Sequence, residues 1–177
     1  IPVSDIVEKL RAIKDKKEIE CIKKALKISL EAFNKIIKLV KPGIREKDLA
    51  VEFEYQMKKY GADSIAFPLI IASGERSALP HGIASEKKIK NGELIVFDFG
   101  ANFNGYNSDL TRTFCLGIIG AKQKQIYEVV YKAREKAISE IKANIKNYFI
   151  DGIARNYIKE YGYAKYFGHG LGHGVGL

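Results

Sequence analysis

Residues 94–117 read LIVFDFGANFNGYNSDLTRTFCLG, and this stretch decides the fold. An apolar run leads into Asp98, and a second run, rich in β-branched and aromatic residues, carries Asp109. Both runs have the composition of β-strands. Asn104 and Gly105 lie between them and tolerate the positive φ angles of a tight turn. The stretch therefore predicts a β-hairpin with an aspartate in each strand.

The pairing of this hairpin has two registers that keep an even number of residues in the turn. A two-residue Asn104-Gly105 turn sets Asp98 opposite Thr111, whereas a turn centred one residue earlier sets Asp98 directly opposite Asp109. In both registers the carboxylates share one face of the sheet, because side chains alternate along a strand with a period of two. The sequence leaves both registers open.

Two carboxylates on one face, beside so apolar a strand, create an electrostatic conflict. Like charges on neighbouring strands repel, and burying them without partners is costly. A divalent metal ion between Asp98 and Asp109 resolves the conflict. A basic neighbour such as Arg112 resolves it as well, and so does a one-residue slip that exposes one aspartate.

The rest of the chain predicts helices around a sheet. Apolar spacing and composition indicate helices over residues 15–40, 46–60, 121–143 and 151–161 and a strand over residues 67–73. Asp15 and Glu18 resemble a capping box at the start of the first helix. Its expected inward face consists of Ile19, Ile22, Leu26, Leu30, Phe33, Ile37 and Val40. The order of elements predicts an α+β fold, with helices covering one face of a mainly antiparallel sheet.

Composition narrows the class of protein. A length of 177 residues with 46% hydrophobic content predicts one domain with a real core. The formal net charge of +9 comes from lysines scattered through helical stretches, which is typical of a solvated surface. We therefore expect no nucleic-acid partner. The alternative, a basic nucleic-acid binder, requires an affinity that falls steeply with salt.

The cysteines and the ends of the chain bear on its location. Cys21 and Cys115 show no CxxC spacing or disulfide framework, which fits a reducing compartment. No apolar run reaches transmembrane length and no signal peptide is recognisable, so we expect a cytoplasmic protein without a membrane partner. The chain opens at Ile1 without an initiator methionine and stops inside a glycine- and histidine-rich stretch. We therefore expect a segment of a longer protein.

The three histidines are the other candidates for chemistry. His169 and His173 lie four residues apart in the tail GHGLGHGVGL, where alternating glycines disfavour a helix and suit close backbone approach around a ligand. The alternative is a flexible end with incidental histidines, and a loop histidine such as His81 is, taken alone, more typical of a surface. Together with two same-face aspartates, however, these residues can form a metal site that activates water.

Three motifs resemble one enzyme family. FDFGANFNGYNSDLTRTF, the upstream SGERSALPHG and the downstream GHGLGHGVGL resemble the Xaa-Pro peptidases, prolidase and aminopeptidase P, of the pita-bread metallopeptidase family. The resemblance runs from about residue 8 to the last residue. It implies the pita-bread (creatinase/aminopeptidase-like) fold and hydrolysis of the bond preceding proline, by an Xaa-Pro dipeptidase or Xaa-Pro aminopeptidase. The implied partners are peptides with proline at the second position and a second copy of the protein, in a homodimer.

The resemblance also implies roles for individual residues. Asp98 and Asp109 are expected to bind two divalent metal ions, Asp109 as the bridging ligand and Asp98 as a chelating one, with His173 as a third ligand. The ions are typically Mn²⁺ or Co²⁺, with Zn²⁺ and Fe²⁺ as further candidates. His169 is expected to bind substrate and stabilise the tetrahedral intermediate, and His81 to act near the scissile bond in substrate binding or proton handling.

The chain departs from the family pattern at its end. Family members continue with another histidine and two glutamate ligands, which this chain does not contain. We therefore predict a lead-in over residues 1–14 and a partial metallopeptidase catalytic domain over residues 15–177, comprising the first half of the fold and the start of the second. We expect this segment to bind metal weakly, if at all, and to be inactive alone. The alternatives are a methionine aminopeptidase and a non-catalytic pita-bread binding protein.

Overall fold

A computed structural model of the chain describes residues 6–177, which form two compact units. The first comprises residues 6–119 together with Val175–Leu177, and the second comprises Gly120–Gly174. Of the predicted lead-in, residues 1–5 lie outside the described residues, and Ile6–Ala12 form helix α1. Within residues 6–177, no helix combines the length and apolarity that crossing a bilayer requires.

Two longer helices of the first unit begin where the sequence predicts. Helix α2 spans Lys16–Ile36 and helix α3 spans Glu46–Lys59. The capping box is confirmed, because the Glu18 amide donates to Asp15 Oδ1 (2.9 Å) and the Asp15 amide donates to Glu18 Oε2 (2.7 Å). These bonds satisfy two amides at the helix start.

The buried face of α2 differs from the predicted one. Ile19 and Ile37 are exposed, whereas Phe33 and Val40 pack against the core as predicted. The fully buried stripe is the adjacent one, which consists of Ala25, Ile28, Ser29, Ala32 and Ile36. Hydrophobicity alone favours the larger side chains, whereas the small residues of the buried stripe let the helix approach its neighbours closely.

The predicted hairpin is confirmed but divided between two sheets. The strands are β1 (Ser64–Ile65), β2 (Ile70–Ser73), β3 (Leu94–Phe99), β4 (Ala101–Phe103), β5 (Tyr106–Asn107) and β6 (Leu110–Cys115). One antiparallel sheet has the order β2-β3-β6 and the other the order β1-β4-β5. Each arm of the hairpin therefore begins in one sheet and ends in the other, in an α+β architecture.

The hairpin changes sheets at Gly100, where its two arms approach each other closely. A Cβ added at Gly100 would overlap the Ser108 carbonyl oxygen and lie 2.9 Å from its carbon. The next amide, of Ala101, donates to Ser29 Oγ (2.9 Å) and to Ser108 Oγ (3.1 Å), and these two buried hydroxyls lie 2.9 Å apart. The two hydroxyls thus satisfy the buried Ala101 amide at the break in the ladder.

The register of the hairpin follows the Asn104-Gly105 turn. Asn104 has φ 51° and Gly105 has φ 82°, as a two-residue hairpin turn requires. Asp98 pairs with Thr111. The alternative with Asp98 directly opposite Asp109 is therefore wrong, and so is the one-residue slip.

The core of the first unit lies between α2, α3 and the strands. In β3 the residues Ile95, Phe97 and Phe99 are buried and alternate with half-buried residues that include Asp98. Phe33 stacks on Phe99 (ring centroids 5.1 Å apart), and Phe53 lies 4.8 Å from the same ring. This packing orients Asp98 away from the core, because neighbouring residues of a strand face opposite sides.

The second unit is a pair of helices followed by the glycine-rich segment. Helix α4 spans Ala121–Ser139 and α5 spans Asn147–Glu160. The first ends four residues before its predicted end and the second begins four residues before its predicted start. Small residues of α4 pack against larger residues of α5 in a core formed by Val129, Ala133, Ala137, Ile150, Ala154 and Ile158. A 3-10 turn, Ala164–Tyr166, precedes the tail, which is not helical, as predicted.

Candidate metal and peptidase site

The two candidate aspartates lie in opposite arms of the hairpin in the first unit. Asp98 is half-buried in β3 and accepts a hydrogen bond from Thr111 Oγ1 (2.8 Å). Asp109 is exposed and immediately precedes β6. Asp98 pairs with Thr111, and Asp109 lies two residues before Thr111, just outside the paired residues of β6.

Arg112, the basic residue considered as an alternative partner for the aspartates, lies opposite Phe97 in the register. Its Nη1 donates to the carbonyl oxygen of Thr111 (2.8 Å). The guanidinium thus supports the backbone of β6 at Thr111, the residue whose hydroxyl binds Asp98.

The loop that carries His81 returns to the row of paired residues that crosses the strands at Asp98. Ile83 forms an antiparallel bridge with Ile70, and Ile70 pairs with Asp98. Ile83 therefore lies two strand positions from Asp98, about 10 Å at ordinary strand spacing. The Ile83 amide donates to the His81 carbonyl oxygen (2.9 Å), so the exposed histidine is tied closely to that row.

His169 and His173 belong to the second unit, where backbone carbonyls orient both rings. His169 Nδ1 lies 2.8 Å from the Gly170 oxygen, and His173 Nδ1 lies 2.7 Å from the Gly174 oxygen. A carbonyl oxygen only accepts, so Nδ1 must carry the proton in each ring. The neutral ring then has its lone pair on Nε2, which is the tautomer that a metal ligand needs.

An ion pair on α5 holds the segment that carries His169. Arg155 donates from Nη1 to the Phe167 oxygen (2.8 Å) and from Nη2 to the His169 oxygen (2.8 Å). Asp151 binds Arg155 (2.7 Å) and accepts from the Leu171 amide (2.8 Å). The Arg155 hydrogen bond holds the pKa of Asp151 below its usual value, against the opposing effect of burial. This segment is therefore anchored, contrary to the alternative of a flexible tail.

The donor set of the chain fits divalent metal ions. In the first unit, the carboxylates of Asp98 and Asp109 are hard oxygen donors of the kind that divalent ions prefer. In the second unit, the His173 ring has its Nδ1 proton directed to the Gly174 oxygen. Among residues 6–177, no group of three His, Cys, Asp or Glu side chains is arranged closely enough to hold an ion.

Sequence reasoning missed the charged residue inside the first unit. Glu46 is fully buried at the start of α3 and binds Ser73, Arg76 and Ser85. The helical spacing held a signal for it, because Glu46 shares the inward face with Leu49, and a carboxylate on such a face needs buried partners.

Comparison with known proteins defines the family. Residues 20–177 match metallopeptidase family M24, and the chain belongs to that family. The Xaa-Pro dipeptidase of Pyrococcus furiosus is 50% identical over 175 residues, which are 99% of this chain and 50% of that protein. The resemblance to Xaa-Pro peptidases that the motifs indicate is thereby confirmed.

Solved structures agree on the fold. The Xaa-Pro dipeptidase from Bacillus anthracis matches with a TM-score of 0.97 at 46% identity, covering 99% of this chain and 50% of that one. An X-Pro aminopeptidase from Thermotoga maritima matches with a TM-score of 0.95 at 43% identity, covering 99% and 49%. The predicted pita-bread fold is confirmed, and the chain spans about half the length of these relatives.

Proposed function

We propose that the protein to which this chain belongs is a metal-dependent peptidase that hydrolyses the bond preceding proline. The observation that carries the proposal is the hairpin register, which pairs Asp98 with Thr111, two residues after Asp109, and lets the Thr111 hydroxyl donate to Asp98. The 50% sequence identity to a protein named an Xaa-Pro dipeptidase supports this specificity. Relatives named as dipeptidases and as an aminopeptidase both match, so peptides of either length are candidate substrates.

The proposed metal ligands are Asp98, Asp109 and His173, which would hold the divalent ions. Mn²⁺ and Co²⁺ are the first candidates, and Zn²⁺ and Fe²⁺ the next. When bound, such ions acidify water and polarise the peptide carbonyl. The Thr111 hydroxyl orients the Asp98 carboxylate, and the Gly174 carbonyl keeps the His173 proton on Nδ1. Supports of this kind usually raise metal affinity.

The non-ligand histidines have proposed roles at the peptide. His169 binds substrate and, in its protonated form, donates from Nε2 to the developing oxyanion. His81 binds substrate or handles a proton near the scissile bond. Its loop, bridged to the strand beside Asp98, supports this assignment.

Residues 15–177 are proposed to be a partial catalytic domain that follows a lead-in over residues 1–14. The resemblance implies two glutamate ligands that this chain does not supply, so we expect the chain alone not to hydrolyse peptides. A cytoplasmic location and a homodimer stay predictions as well.

The test is an assay of the full-length protein with Ala-Pro, Gly-Pro and longer Xaa-Pro peptides, with and without Mn²⁺. We expect metal-dependent hydrolysis that Asp98→Asn abolishes and that Asp48→Asn, which removes an exposed carboxylate of a surface ion pair, leaves unchanged. If folded, metal-loaded protein cleaves none of these peptides, the proposal is wrong and a binding protein is favoured. Release of N-terminal methionine would instead favour a methionine aminopeptidase.

A further inference from the structure

The buried carboxylate of Glu46 joins two distant points of the chain. Its Oε1 accepts from the amide and the hydroxyl of Ser73 (both 2.8 Å). Its Oε2 accepts from the Ser85 hydroxyl (2.7 Å), the Ser85 amide (3.2 Å) and Arg76 Nε (3.1 Å). Burial raises the pKa of Glu46, but the bonds from Ser85 and Ser73 outweigh burial and keep it below its usual value, so the group is ionised at neutral pH.

The two points are the ends of one loop. Residues 73–85, which we call the 73–85 loop, leave β2 at Ser73 and contain the 3-10 turn Gly74–Ala78 and His81. One oxygen of Glu46 holds each end. Arg76, bound to the carboxylate, also donates from Nη2 to the Ile83 oxygen (2.6 Å), which ties the inside of the loop to the same group.

The position of His81 depends on this loop rather than on its own side chain. Within residues 6–177, the exposed His81 ring makes no hydrogen bond to another side chain or to the backbone. Its neighbour Gly82 is buried, and a Cβ there would lie 3.0 Å from the Ala72 Cβ and 3.2 Å from the Arg76 oxygen. Backbone packing and the bridge from Ile83 to Ile70 therefore set where the ring lies.

We propose that Glu46 is a positioning residue, which fastens both ends of the 73–85 loop and so holds His81 in the sheet row of Asp98. The inference rests on the proposed function for the role of His81. Glu46 has no exposed surface, so it acts through the loop and not on the substrate. A misplacement of about 1 Å in a reacting group can cost a hundredfold in rate.

The test compares two glutamate-to-glutamine variants of the full-length protein. Glu46→Gln keeps the shape but turns one acceptor oxygen into an NH₂ group that faces donors. Glu86→Gln is the matched control, because it removes an exposed carboxylate that binds Arg45 and Lys47 near the same loop. With an Ala-Pro substrate and Mn²⁺, we expect Glu46→Gln to lower kcat about 10- to 100-fold, and Glu86→Gln to leave it within about twofold.

A second substitution separates positioning from general damage. If Glu46 acts through His81, Glu46→Gln has little further effect on kcat in a His81→Ala background. Equal losses in both backgrounds, or a kcat like that of Glu86→Gln, would overturn the proposal. Hydrogen exchange of residues 74–85 should accelerate in Glu46→Gln while β3 stays protected, and unchanged exchange would equally overturn it.

If the wild-type protein cleaves no Xaa-Pro peptide, the proposed function fails, but hydrogen exchange still decides whether Glu46 fastens the loop. If Glu46→Gln does not fold, Ser85→Ala serves instead, because it removes one hydroxyl partner and leaves the buried charge with its others. The same exchange and kcat criteria then apply.

Discussion

Gly100 is the position at which a single methyl group should do most damage to the hairpin. In Gly100→Ala the new Cβ overlaps the Ser108 carbonyl oxygen and lies 2.9 Å from its carbon and 3.0 Å from the Phe67 ring. The obstructing carbonyl is backbone and cannot rotate aside. The φ angle of Gly100 is not in the left-handed region, so the effect is steric rather than conformational.

The cost combines overpacking with disturbance of the buried hydroxyls. Overpacking costs about 1–3 kcal/mol, and a backbone obstacle favours the upper end of that range. Displacing Ser108 also strains its bonds to Ser29 and to the Ala101 amide, each of which contributes about 1 kcal/mol. We expect a loss of about 3–4 kcal/mol in the free energy of unfolding, which lowers the melting temperature by about 6–16 °C.

The assay is urea unfolding of the full-length protein, followed by circular dichroism. Gly152→Ala is the control, because no atom lies within 4 Å of its added Cβ on helix α5. There we expect a stabilisation of about 0.5–1 kcal/mol, since alanine favours a helix over glycine. A Gly100→Ala protein within about 0.5 kcal/mol of the wild type would refute the close approach of the two arms.

Three further predictions concern the candidate site. Thr111→Val removes the hydroxyl that binds Asp98 while keeping the shape of the side chain, and we expect it to weaken Mn²⁺ binding about tenfold in titration calorimetry. Thr113→Val, two residues further along β6, should leave Mn²⁺ binding unchanged. Arg155→Gln should speed hydrogen exchange of residues 167–171 several-fold, because two carbonyls lose their charged donor; unchanged exchange would contradict the anchoring. The pKa of Asp151 is lowered in the folded protein, so its ion pair stabilises the fold above the unfolded pKa of 3.8. This stabilisation is lost as the pH falls through the folded pKa. The difference in melting temperature between the wild type and Asp151→Asn should therefore shrink below about pH 4.

Local patterns in the sequence were sufficient for much of the fold. The capping box at Asp15 and the start of α3 depend on interactions within a few residues, and both are confirmed. The predicted end of α4 and the predicted start of α5 were each wrong by four residues, because helix ends depend on local competition that periodicity does not resolve.

Long-range packing decided what the patterns left open. Gly100 divides the hairpin between two sheets because Ser108, eight residues on, occupies the space of a side chain. The fully buried stripe of α2 includes Ala25 and Ala32 rather than the predicted Ile19 and Ile37 for a similar reason, since close approach to its neighbours is a property of the whole unit.

The sequence by itself determined the family resemblance, the α+β class and the identity of the candidate ligands Asp98, Asp109 and His173, because each of these depends on residue types in short motifs. Only the tertiary structure decided that Asp98 faces Thr111 and that Glu46 closes the loop of His81. The reason is physical: the two registers differ by two residues in pairing and keep the same residues on each face, so local preferences barely separate them, and a buried carboxylate is stable only where distant donors converge on it.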